Sequence, residues 1–374
     1  MGMEETVEVS TFKTMLLAAL VVPAALAADG SPAGKEEESS ESATLDGEEK
    51  SGEPSEAAEV HGEQEDGGGG KGAVDKKAFA SWLDSFKSQA SASGISNDTV
   101  ASLDTVSLLS RVIELDRHQP ETRLTLAQYL ARVVPDSRVE RGRRLYEEHR
   151  DMLAEIEEEY GVPPRFLVAL WGIETDYGRN TGGFRVLDAL ATLAFDGRRS
   201  SFFRQELLNA LRIIDDGHIT ADGMKGSWAG ALGQCQFMPS SFLSYAVDYT
   251  GDGKRDIWSS LPDVFASSAN YLVQHGWQTG QTWGRRVRLP ADFDSSLIGL
   301  EIEKHLDEWQ ELGVRRACGS DLPTASFKGS LVQPGGAGGP TFLVYENYRT
   351  VLRWNRSLYF ATAVGLLADR IAAR

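Results

Sequence analysis

A glutamate lies near the end of a strongly apolar stretch of the chain. Glu174 follows an unbroken apolar run, residues 166–171, within the string YGVPPRFLVALWGIETDYGR of residues 160–179. At helical spacing it shares one face with Leu167 and Leu170, so its carboxyl group should be buried. Burial disfavours the ionised carboxylate and raises its pKa, which is what a general acid working near neutral pH requires.

The same stretch also allows a purely structural interpretation of Glu174. A glutamate at a helix end can simply pair with a nearby arginine, here Arg179 or Arg185, and both interpretations stay open at this point. Asp176 lies two positions further along, which on a helix is nearly the opposite side. We therefore expect Asp176 to act as a cap or to pair with an arginine rather than to share a cleft with Glu174.

A second segment, GSWAGALGQCQFMPSS at residues 226–241, suits the binding of a sugar. Its glycines allow close approach of the backbone, its polar side chains can hydrogen-bond a ligand, and its aromatic side chains offer flat apolar faces. The polar side chains are Ser227, Gln234 and Gln236, and the aromatic ones are Trp228 and Phe237. A tight turn between packed helices is the alternative interpretation.

A third segment, DYTGDGKRDIWSSLPD at residues 248–263, begins like a calcium-binding loop of the EF-hand type. The residues at the expected ligand positions are Asp248, Thr250, Asp252 and, through its backbone carbonyl, Lys254. The position of the closing glutamate is occupied by Ser259, so closure needs Asp263 or, less well, Asp256. A hydrophilic turn without metal is the alternative interpretation.

Several catalytic motifs are absent from the sequence. It contains no HExxH, GxxxxGKS, GxSxG or CxxC string and no GxGxxG after a predicted strand. This disfavours metalloprotease, nucleotide-driven and α/β-hydrolase mechanisms, and we expect no organic cofactor.

Most of the net charge of −17 comes from one segment of the 374-residue chain. Residues 28–75 contain 15 acidic residues and three lysines, whereas the chain beyond them is nearly neutral. Because no basic patch is available to neutralise phosphates, nucleic-acid binding is disfavoured.

The N-terminus has the pattern of a signal peptide. Residues 15–27 are an apolar run that ends in the tripeptide ALA, which suits cleavage before Ala28 and is too short to span a bilayer as a helix. We therefore expect residues 1–27 to be removed, although a buried N-terminal helix is an alternative. Without a cysteine near the cleavage site, the mature protein should be periplasmic, with no lipid anchor and no transmembrane segment.

The rest of the chain divides into a spacer and one domain. Residues 28–77 have essentially no large apolar side chains, which predicts a disordered acidic spacer. Residues 78–374 have a globular composition with helical spacing of apolar residues, which predicts a mainly α domain. Helices are predicted at residues 138–160, 164–174, 185–193, 200–216, 240–249, 261–275 and 358–373, with short strands such as 286–289 and 341–345.

Together, these segments resemble the lytic murein transglycosylase B family, the third group of soluble lytic transglycosylases. The similarity runs from about residue 78 to the end of the chain. The matching strings are YGVPPRFLVALWGIETDYGR, RVLDALATLAF, KGSWAGALGQCQFMPSSF, YAVDYTGDG, ANYLVQHGW and NYRTVLRWNRS.

The resemblance implies a mainly α (α+β) fold, with a helical lobe, a goose-lysozyme-like catalytic core and a small β-containing lobe around a groove for peptidoglycan strands. The implied reaction cleaves the β-1,4 bond between N-acetylmuramic acid and N-acetylglucosamine and leaves a 1,6-anhydro end. A muramidase and a non-catalytic peptidoglycan-binding protein are the alternatives. Cell-wall synthesis or division proteins are partners that such a protein could join.

The resemblance also implies residue roles. Glu174 matches the family's sole catalytic carboxylate, and Ser227 matches the serine that orients the N-acetyl group of the sugar. The remaining implied substrate-binding residues are Gln236, Tyr271, Trp354 and Asn355. The implied ligands of a structural calcium ion are Asp248, Thr250, Asp252, Lys254 and Asp263.

Three features depart from the family pattern. The stretch between Trp258 and Ala269 is one residue longer, which affects the position of Asp263. Trp354 stands where a tyrosine is common, which leaves a stacking face without its hydroxyl group. The predicted mature N-terminus lacks the cysteine of lipid-anchored relatives.

The two cysteines, Cys235 and Cys318, permit at most one internal disulfide bond. In an oxidising periplasm they could pair, while a plain buried thiol at Cys235 is the alternative.

Overall fold

The computed structural model of the protein describes residues 76–117 and 124–373. The predicted signal peptide and nearly all of the predicted acidic spacer lie outside the described residues. Within the described ranges, no helix is both long enough and apolar enough to cross a membrane.

Helices dominate the described part of the chain. In chain order they are α1 (Lys76–Ala92), α2 (Asn97–Ala101), α3 (Ser110–Arg117), α4 (Leu126–Val133), α5 (Asp136–Glu148), α6 (Arg150–Tyr160), α7 (Pro164–Thr175), α8 (Val186–Phe195), α9 (Ser200–Asp215), α10 (Pro239–Tyr245), α11 (Leu261–Gln274), α12 (Leu306–Glu311), α13 (Glu346–Trp354) and α14 (Leu358–Ala372).

The strands form two antiparallel sheets. They are β1 (Phe184–Arg185), β2 (Lys225–Gly226), β3 (Gly284–Arg288), β4 (Lys304–His305), β5 (Arg315–Arg316), β6 (Lys328–Val332) and β7 (Thr341–Val344). β1 pairs with β2, and the other strands form a five-stranded sheet in the order β4-β6-β7-β3-β5. In the central pair, Ser330 of β6 lies opposite Val344 of β7.

The five-stranded sheet has a small hydrophobic core of its own on one face, and its other face contributes Val332, Phe342 and Val344 to the large core of the helices. One face of the sheet packs with α12 around Trp309, Leu331 and Leu343, all of which are fully buried. The helices share a much larger core. This division is the predicted arrangement of a helical body with a small β-containing lobe.

The helix α7 lies at the centre of the helical core, where it packs against α5, α6, α11 and α14. Pro164 occupies its first turn, where a missing backbone N–H costs nothing, and every residue of α7 except Arg165 is buried. A helix that is apolar all round must be covered by neighbours, as the sequence predicted. Gly172 has no side chain because a Cβ atom there would lie 2.7 Å from the Tyr177 ring.

One predicted helix is divided in the structure, and several helices of the structure were not predicted. The predicted helix at 138–160 is two helices that meet at His149. The backbone of His149 still donates to Leu145 and accepts from Leu153, so the helical hydrogen bonds continue through the junction. The helical spacing of apolar residues continues as well, and no glycine or proline in the sequence marks the division. The helix α4 was not predicted, although Thr125 and Gln128 form a capping box at its start that could have revealed it.

Candidate active site

Glu174 occupies the last turn of α7, immediately before the helix ends. The helix stops because Asp176 and Tyr177 both take left-handed backbone conformations, with φ of 52° and 61°. The Tyr177 hydroxyl donates a hydrogen bond to the backbone carbonyl of Arg138 on α5, at 2.7 Å, which secures this turn. Glu174 is only 5% exposed, as predicted from its position on the apolar face.

The two carboxyl oxygens of Glu174 have different surroundings. The indole N–H of Trp354 donates to Oε1 at 2.7 Å. Oε2 is buried and has no hydrogen-bonding partner among the described residues. Burial raises the pKa of Glu174 to about 8, and the hydrogen bond from Trp354 opposes part of that rise. The group is therefore a protonated carboxylic acid at neutral pH, with one oxygen left for a ligand.

The structural alternative for Glu174, pairing with an arginine, is wrong. Arg179 pairs with Asp176. Arg185 lies near Asp188 and Asp222, at 3.7 Å and 3.3 Å.

Asp176 has the structural role that the sequence predicted. It is the C-cap residue of α7, and its carboxylate also lies 3.6 Å from the Arg138 side chain. With two arginines beside it, Asp176 is not available as a second catalytic carboxylate.

Trp354 reaches Glu174 from α13, the helix that follows the small sheet in the chain and packs against α11 and α14. The chain passes from β7 almost directly into α13, whose last residue is Trp354. The indole ring packs between Phe237 and Tyr271, with ring centroids 5.3 Å and 4.8 Å away. Because Trp354 is only 6% exposed, the open stacking face expected at this position is not present. The side chain instead supplies a hydrogen-bond donor, which the sequence interpretation missed.

Tyr271 and Asn355 also shape this end of α13. The Tyr271 hydroxyl donates to the backbone carbonyl of Arg353 at 2.8 Å, so it holds the turn that carries Trp354. Asn355 is the C-cap residue of α13, and its side-chain oxygen accepts the backbone N–H of Ser357 at 3.0 Å. Both residues are more than nine-tenths buried. Their polar atoms thus organise the wall around Glu174.

The segment 226–241 lies against Glu174. Its Phe237 packs on Trp354, and the charge of Glu174 contributes to the raised pKa of Cys235, which is about 12 mainly because of burial. Gly226 must be glycine, because a Cβ atom there would lie 2.0 Å from the carbonyl oxygen of Ala231. The glycines therefore serve tight packing of the segment.

The polar residues of this segment have defined partners. The Ser227 Oγ accepts the backbone N–H of Ala231 at 3.0 Å, so its own hydrogen remains free to donate. The Gln236 amide donates to the carbonyls of Gly233 and Thr181, at 2.8 Å and 3.2 Å.

Gln234 has an internal role. Its side-chain oxygen accepts the indole N–H of Trp171 at 2.7 Å, and its amide donates to the carbonyl of Trp258 at 2.9 Å. Gln234 therefore ties the segment to α7 rather than offering itself to a ligand.

Tyr129 on α4 is a neighbour of Glu174 that sequence reasoning missed. Burial raises the pKa of its hydroxyl, and the nearby charge of Glu174 raises it further. The side chain is 8% exposed and packs on Tyr359, with ring centroids 5.4 Å apart. The capping box of α4 was the available signal for the helix, but nothing in the sequence linked it to Glu174.

Four of the five residues predicted to bind calcium lie in a loop before α11, and the fifth, Asp263, lies in the first turn of α11. The carboxylates among them point at backbone amides. Asp248 accepts N–H groups from Gly251, Asp252 and Gly253, at 2.8 to 3.1 Å. Lys254 donates its backbone N–H to Asp252. Thr250 is held by its hydroxyl contact to Asp248 and by its backbone N–H.

Asp263 closes this loop through hydrogen bonds. It is fully buried and accepts backbone N–H groups from Tyr249, Thr250 and Asp256, at 2.8 to 3.3 Å. Within residues 76–117 and 124–373, no group of three or more histidine, cysteine, aspartate or glutamate side chains is arranged to hold a metal ion. Both oxygens of Asp263 accept amides in this arrangement, so a cation would be bound through their remaining lone pairs.

Replacing Asp263 with asparagine is expected to lower the free energy of unfolding by roughly 2–4 kcal/mol, because an amide NH₂ would face backbone donors that have no other partner. Chemical unfolding followed by circular dichroism measures the change. Asp252→Asn is the matched control, since Asp252 is exposed and accepts one loop amide. Equal destabilisation by the two substitutions would contradict the closing role of Asp263.

Both cysteines are free thiols in the structure. Cys235 is buried, with its sulfur 3.4 Å from the carbonyl oxygen of Val264, whereas Cys318 is exposed. The structure thus supports the buried thiol rather than the disulfide.

Comparison with known proteins identifies the family. Residues 78–369 match the family described as the transglycosylase SLT domain. The chain belongs to this family. The resemblance to lytic murein transglycosylases of the B type is therefore confirmed, and with it the mainly α, lysozyme-like fold.

Individual relatives agree with this assignment. The chain is 34% identical over 253 residues to the membrane-bound lytic murein transglycosylase B of Escherichia coli, a match that covers 64% of this chain and 65% of that relative. SltB3 from Pseudomonas aeruginosa, whose structure is known in complex with NAG-anhNAM-pentapeptide, has 46% sequence identity to this chain. The two structures match with a TM-score of 0.76 over 78% of each chain. The E. coli lytic transglycosylase Slt35 in complex with calcium is 29% identical with a TM-score of 0.66, covering 81% of this chain and 95% of that one.

Proposed function

We propose that this protein is a peptidoglycan lytic transglycosylase that cleaves the β-1,4 bond between N-acetylmuramic acid and N-acetylglucosamine. The observation that carries the proposal is the protonated Glu174, buried at a helix end with Oε2 unpaired. Membership of the transglycosylase SLT domain family supports it. So does the muropeptide bound to the related SltB3 of P. aeruginosa, since NAG-anhNAM has the anhydro end that this reaction forms.

The proposed reaction uses one carboxyl group. Retaining glycosidases generally place a second carboxylate about 5 Å from the acid to act as nucleophile, whereas substrate-assisted enzymes do without it. Asp176, the nearest acidic residue along the chain, is held by Arg138 and Arg179. A mechanism in which the substrate supplies the missing group therefore agrees with the site.

In the first step, Glu174 donates its proton to the glycosidic oxygen as the bond from that oxygen to the anomeric carbon of the muramic acid breaks. The carbonyl oxygen of the muramic N-acetyl group then stabilises the positive charge that develops at the anomeric carbon. In the second step, the ionised Glu174 removes the proton of the muramic 6-hydroxyl group, whose oxygen bonds to the anomeric carbon. The acid is thereby regenerated, and no water is consumed.

Ser227 is the proposed partner of the N-acetyl group. Because its oxygen already accepts the N–H of Ala231, its hydroxyl hydrogen is the donor available to the acetamido oxygen. We assign Gln236 and Asn355 to the substrate-facing wall, and Tyr271 to support of the turn that carries Trp354.

We propose that the bound glycan strand extends beyond the two reacting sugars. A cavity of about 440 Å³ lies where the small lobe meets the start of α14. Its lining includes Leu300, Glu301, Val332, Gln333 and Leu358. Leu358 lies four residues beyond Trp354, and we propose that the glycan strand continues into this cavity.

Product analysis tests the proposed function. Purified sacculi digested by the wild-type protein should release muropeptides with 1,6-anhydro ends, which mass spectrometry identifies because they are lighter by one water than hydrolysed products. Reducing ends alone would replace the proposal with a muramidase. Binding to sacculi without release of any muropeptide would leave a non-catalytic peptidoglycan-binding protein.

We further propose that the protein works in the periplasm after removal of residues 1–27, with residues 28–77 as a spacer ahead of a catalytic domain at 78–374. The apolar run of residues 15–27 supports export. Cell-wall synthesis or division proteins remain the proposed class of partner. A structural calcium ion in the loop at 248–263 remains part of the proposal, supported by the calcium complex of the related E. coli Slt35, and no step of the reaction is assigned to it.

A further inference from the structure

Trp354 is the one side chain that hydrogen-bonds the carboxyl group of Glu174 among the contacts of the described residues. An indole N–H can donate a hydrogen bond and cannot accept one. The better acceptor of a neutral carboxylic acid is its carbonyl oxygen rather than its hydroxyl oxygen. A donor fixed at Oε1 therefore favours the form of Glu174 in which Oε1 is the carbonyl and Oε2 carries the proton.

We propose that Trp354 is a positioning residue that places the transferable proton of Glu174 on Oε2 and returns it to the same oxygen in each turnover. This inference rests on the proposed function, and it goes beyond it by assigning the two carboxyl oxygens different tasks. Oε2 gives and takes the proton. Oε1 remains bound to the indole before and after proton transfer.

Tryptophan differs in this respect from tyrosine. A phenolic hydroxyl both donates and accepts, so a tyrosine could also accept a proton placed on Oε1. The indole of Trp354 cannot accept a proton placed on Oε1, so only the arrangement with the proton on Oε2 keeps the hydrogen bond.

The surroundings of the indole restrict its movement. Phe237 and Tyr271 pack against the ring, and the Tyr271 hydroxyl holds the backbone of Arg353 immediately before it. A donor whose position is fixed by packing can select one oxygen of a carboxyl group, whereas a mobile donor would serve both.

The hydrogen bond from Trp354 also predicts the direction in which the pH profile of the activity should shift when the donor is removed. A donor to Oε1 stabilises the carboxylate more than the acid, so it lowers the pKa of Glu174 from the value that burial alone would give. Because the first step needs the protonated acid, activity falls as the pH rises through the pKa of Glu174. Removing the donor should move this alkaline limb to higher pH.

Other titratable or charged groups also surround Glu174. They are Tyr129 on α4, Arg138 on α5, Asp176 and Tyr177 after α7, Cys235 in the segment before α10, Tyr271 on α11, His275 immediately after α11, and Arg353 on α13. Burial raises the pKa values of the three tyrosines and of Cys235, so these groups stay neutral near pH 8. His275 stacks on Tyr271 with ring centroids 4.1 Å apart, which makes His275→Gln a necessary comparison.

The test is the pH profile of kcat for release of anhydro-muropeptides by the wild type, Trp354→Phe and Trp354→Tyr. Phenylalanine keeps most of the packing and removes the donor. We expect its alkaline limb to move up by on the order of one pH unit, the shift expected for loss of a hydrogen bond to a charged group. We also expect kcat to fall more than KM changes, with the tyrosine variant between the other two.

Trp283→Phe is the matched control. The Trp283 indole also donates to a carboxylate, that of the half-exposed Asp369, at 2.9 Å, but it lies beside the small sheet rather than at Glu174. This variant and His275→Gln should keep the alkaline limb of the wild type. The inference would be overturned if the alkaline limb did not move in Trp354→Phe, or if it moved in His275→Gln or Trp283→Phe.

A second measurement does not depend on the folding of the Trp354 variants. The protein has eight tryptophans, and ¹⁵N labelling of their indoles resolves each N–H by NMR. One indole N–H should shift with a midpoint near pH 8 and lose that titration in Glu174→Gln. The absence of any such indole would overturn the inference, even if the wild type makes anhydro products. A wild type that makes no anhydro products would instead contradict the proposed function.

Discussion

Replacing Glu174 with glutamine is expected to reduce the release of anhydro-muropeptides from purified sacculi on the order of 1000-fold or more, because one residue supplies both the acid and the base. Glutamine has nearly the same shape, and its carbonyl oxygen can still accept the hydrogen bond from Trp354. The fold should therefore survive. The measurement is the initial rate of muropeptide release, with circular dichroism to verify folding.

A matched control exists for this substitution. Glu206 on α9 is also buried and its pKa is also raised by burial, but it accepts the backbone N–H and the hydroxyl of Ser240 at the start of α10. Glu206→Gln should retain wild-type activity, with at most a loss of stability. A Glu174→Gln protein as active as Glu206→Gln would show that the buried acid at the end of α7 takes no part in the reaction.

Replacing Ser227 with alanine is expected to lower kcat about 10- to 100-fold, the effect of losing one hydrogen bond of 1–3 kcal/mol that orients the acetamido oxygen. The change should appear mainly in kcat, because the acetamido group must be aligned as the bond breaks. Steady-state kinetics on soluble muropeptide oligomers separates kcat from KM.

Ser227→Ala also leaves the N–H of Ala231 without its partner, so stability has to be controlled. Ser267 on α11 is a suitable comparison, because it is fully buried and its oxygen accepts the backbone N–H of Val247 at 2.9 Å. Ser267→Ala should cost similar stability and leave kcat unchanged. Equal losses of kcat in the two variants would mean that Ser227 acts only through the fold.

The position of Glu174 could be predicted from the sequence because its cause is local. An apolar helix with a carboxylate on its buried face dictates a raised pKa whatever the helix packs against. The competing interpretation, a pair with Arg179 or Arg185, could be dismissed only in three dimensions, since each arginine has a choice of nearby acids.

The partner of Glu174 could not be predicted, because it comes from a distant part of the chain. Trp354 is separated from Glu174 by 180 positions and reaches it only after the chain has passed through the small sheet. Sequence reasoning treated the indole as an open stacking face, whereas packing by Phe237 and Tyr271 buries it. Local pattern shows that a residue is aromatic, but tertiary packing decides whether its face or its N–H is used.

The loop at 248–263 also shows what a sequence pattern alone cannot predict. The string from Asp248 to Lys254 has the ligand spacing of an EF-hand loop, and spacing alone cannot tell a carboxylate that binds a cation from one that accepts amides. In the structure, Asp248 and Asp263 accept the N–H groups of the loop. Ser259 at the position of the closing glutamate was a sequence feature that pointed away from a complete EF-hand loop.

The central claim is that Glu174 is a neutral acid at neutral pH because it is buried. Its most direct test is a titration of the carboxyl group by ¹³C NMR on protein labelled at glutamate side chains, with the signal assigned by its absence in Glu174→Gln. The account predicts a midpoint near pH 8. A midpoint near 4.5, the ordinary value for glutamate, would show that the carboxyl group is ionised at neutral pH and cannot be the proton donor.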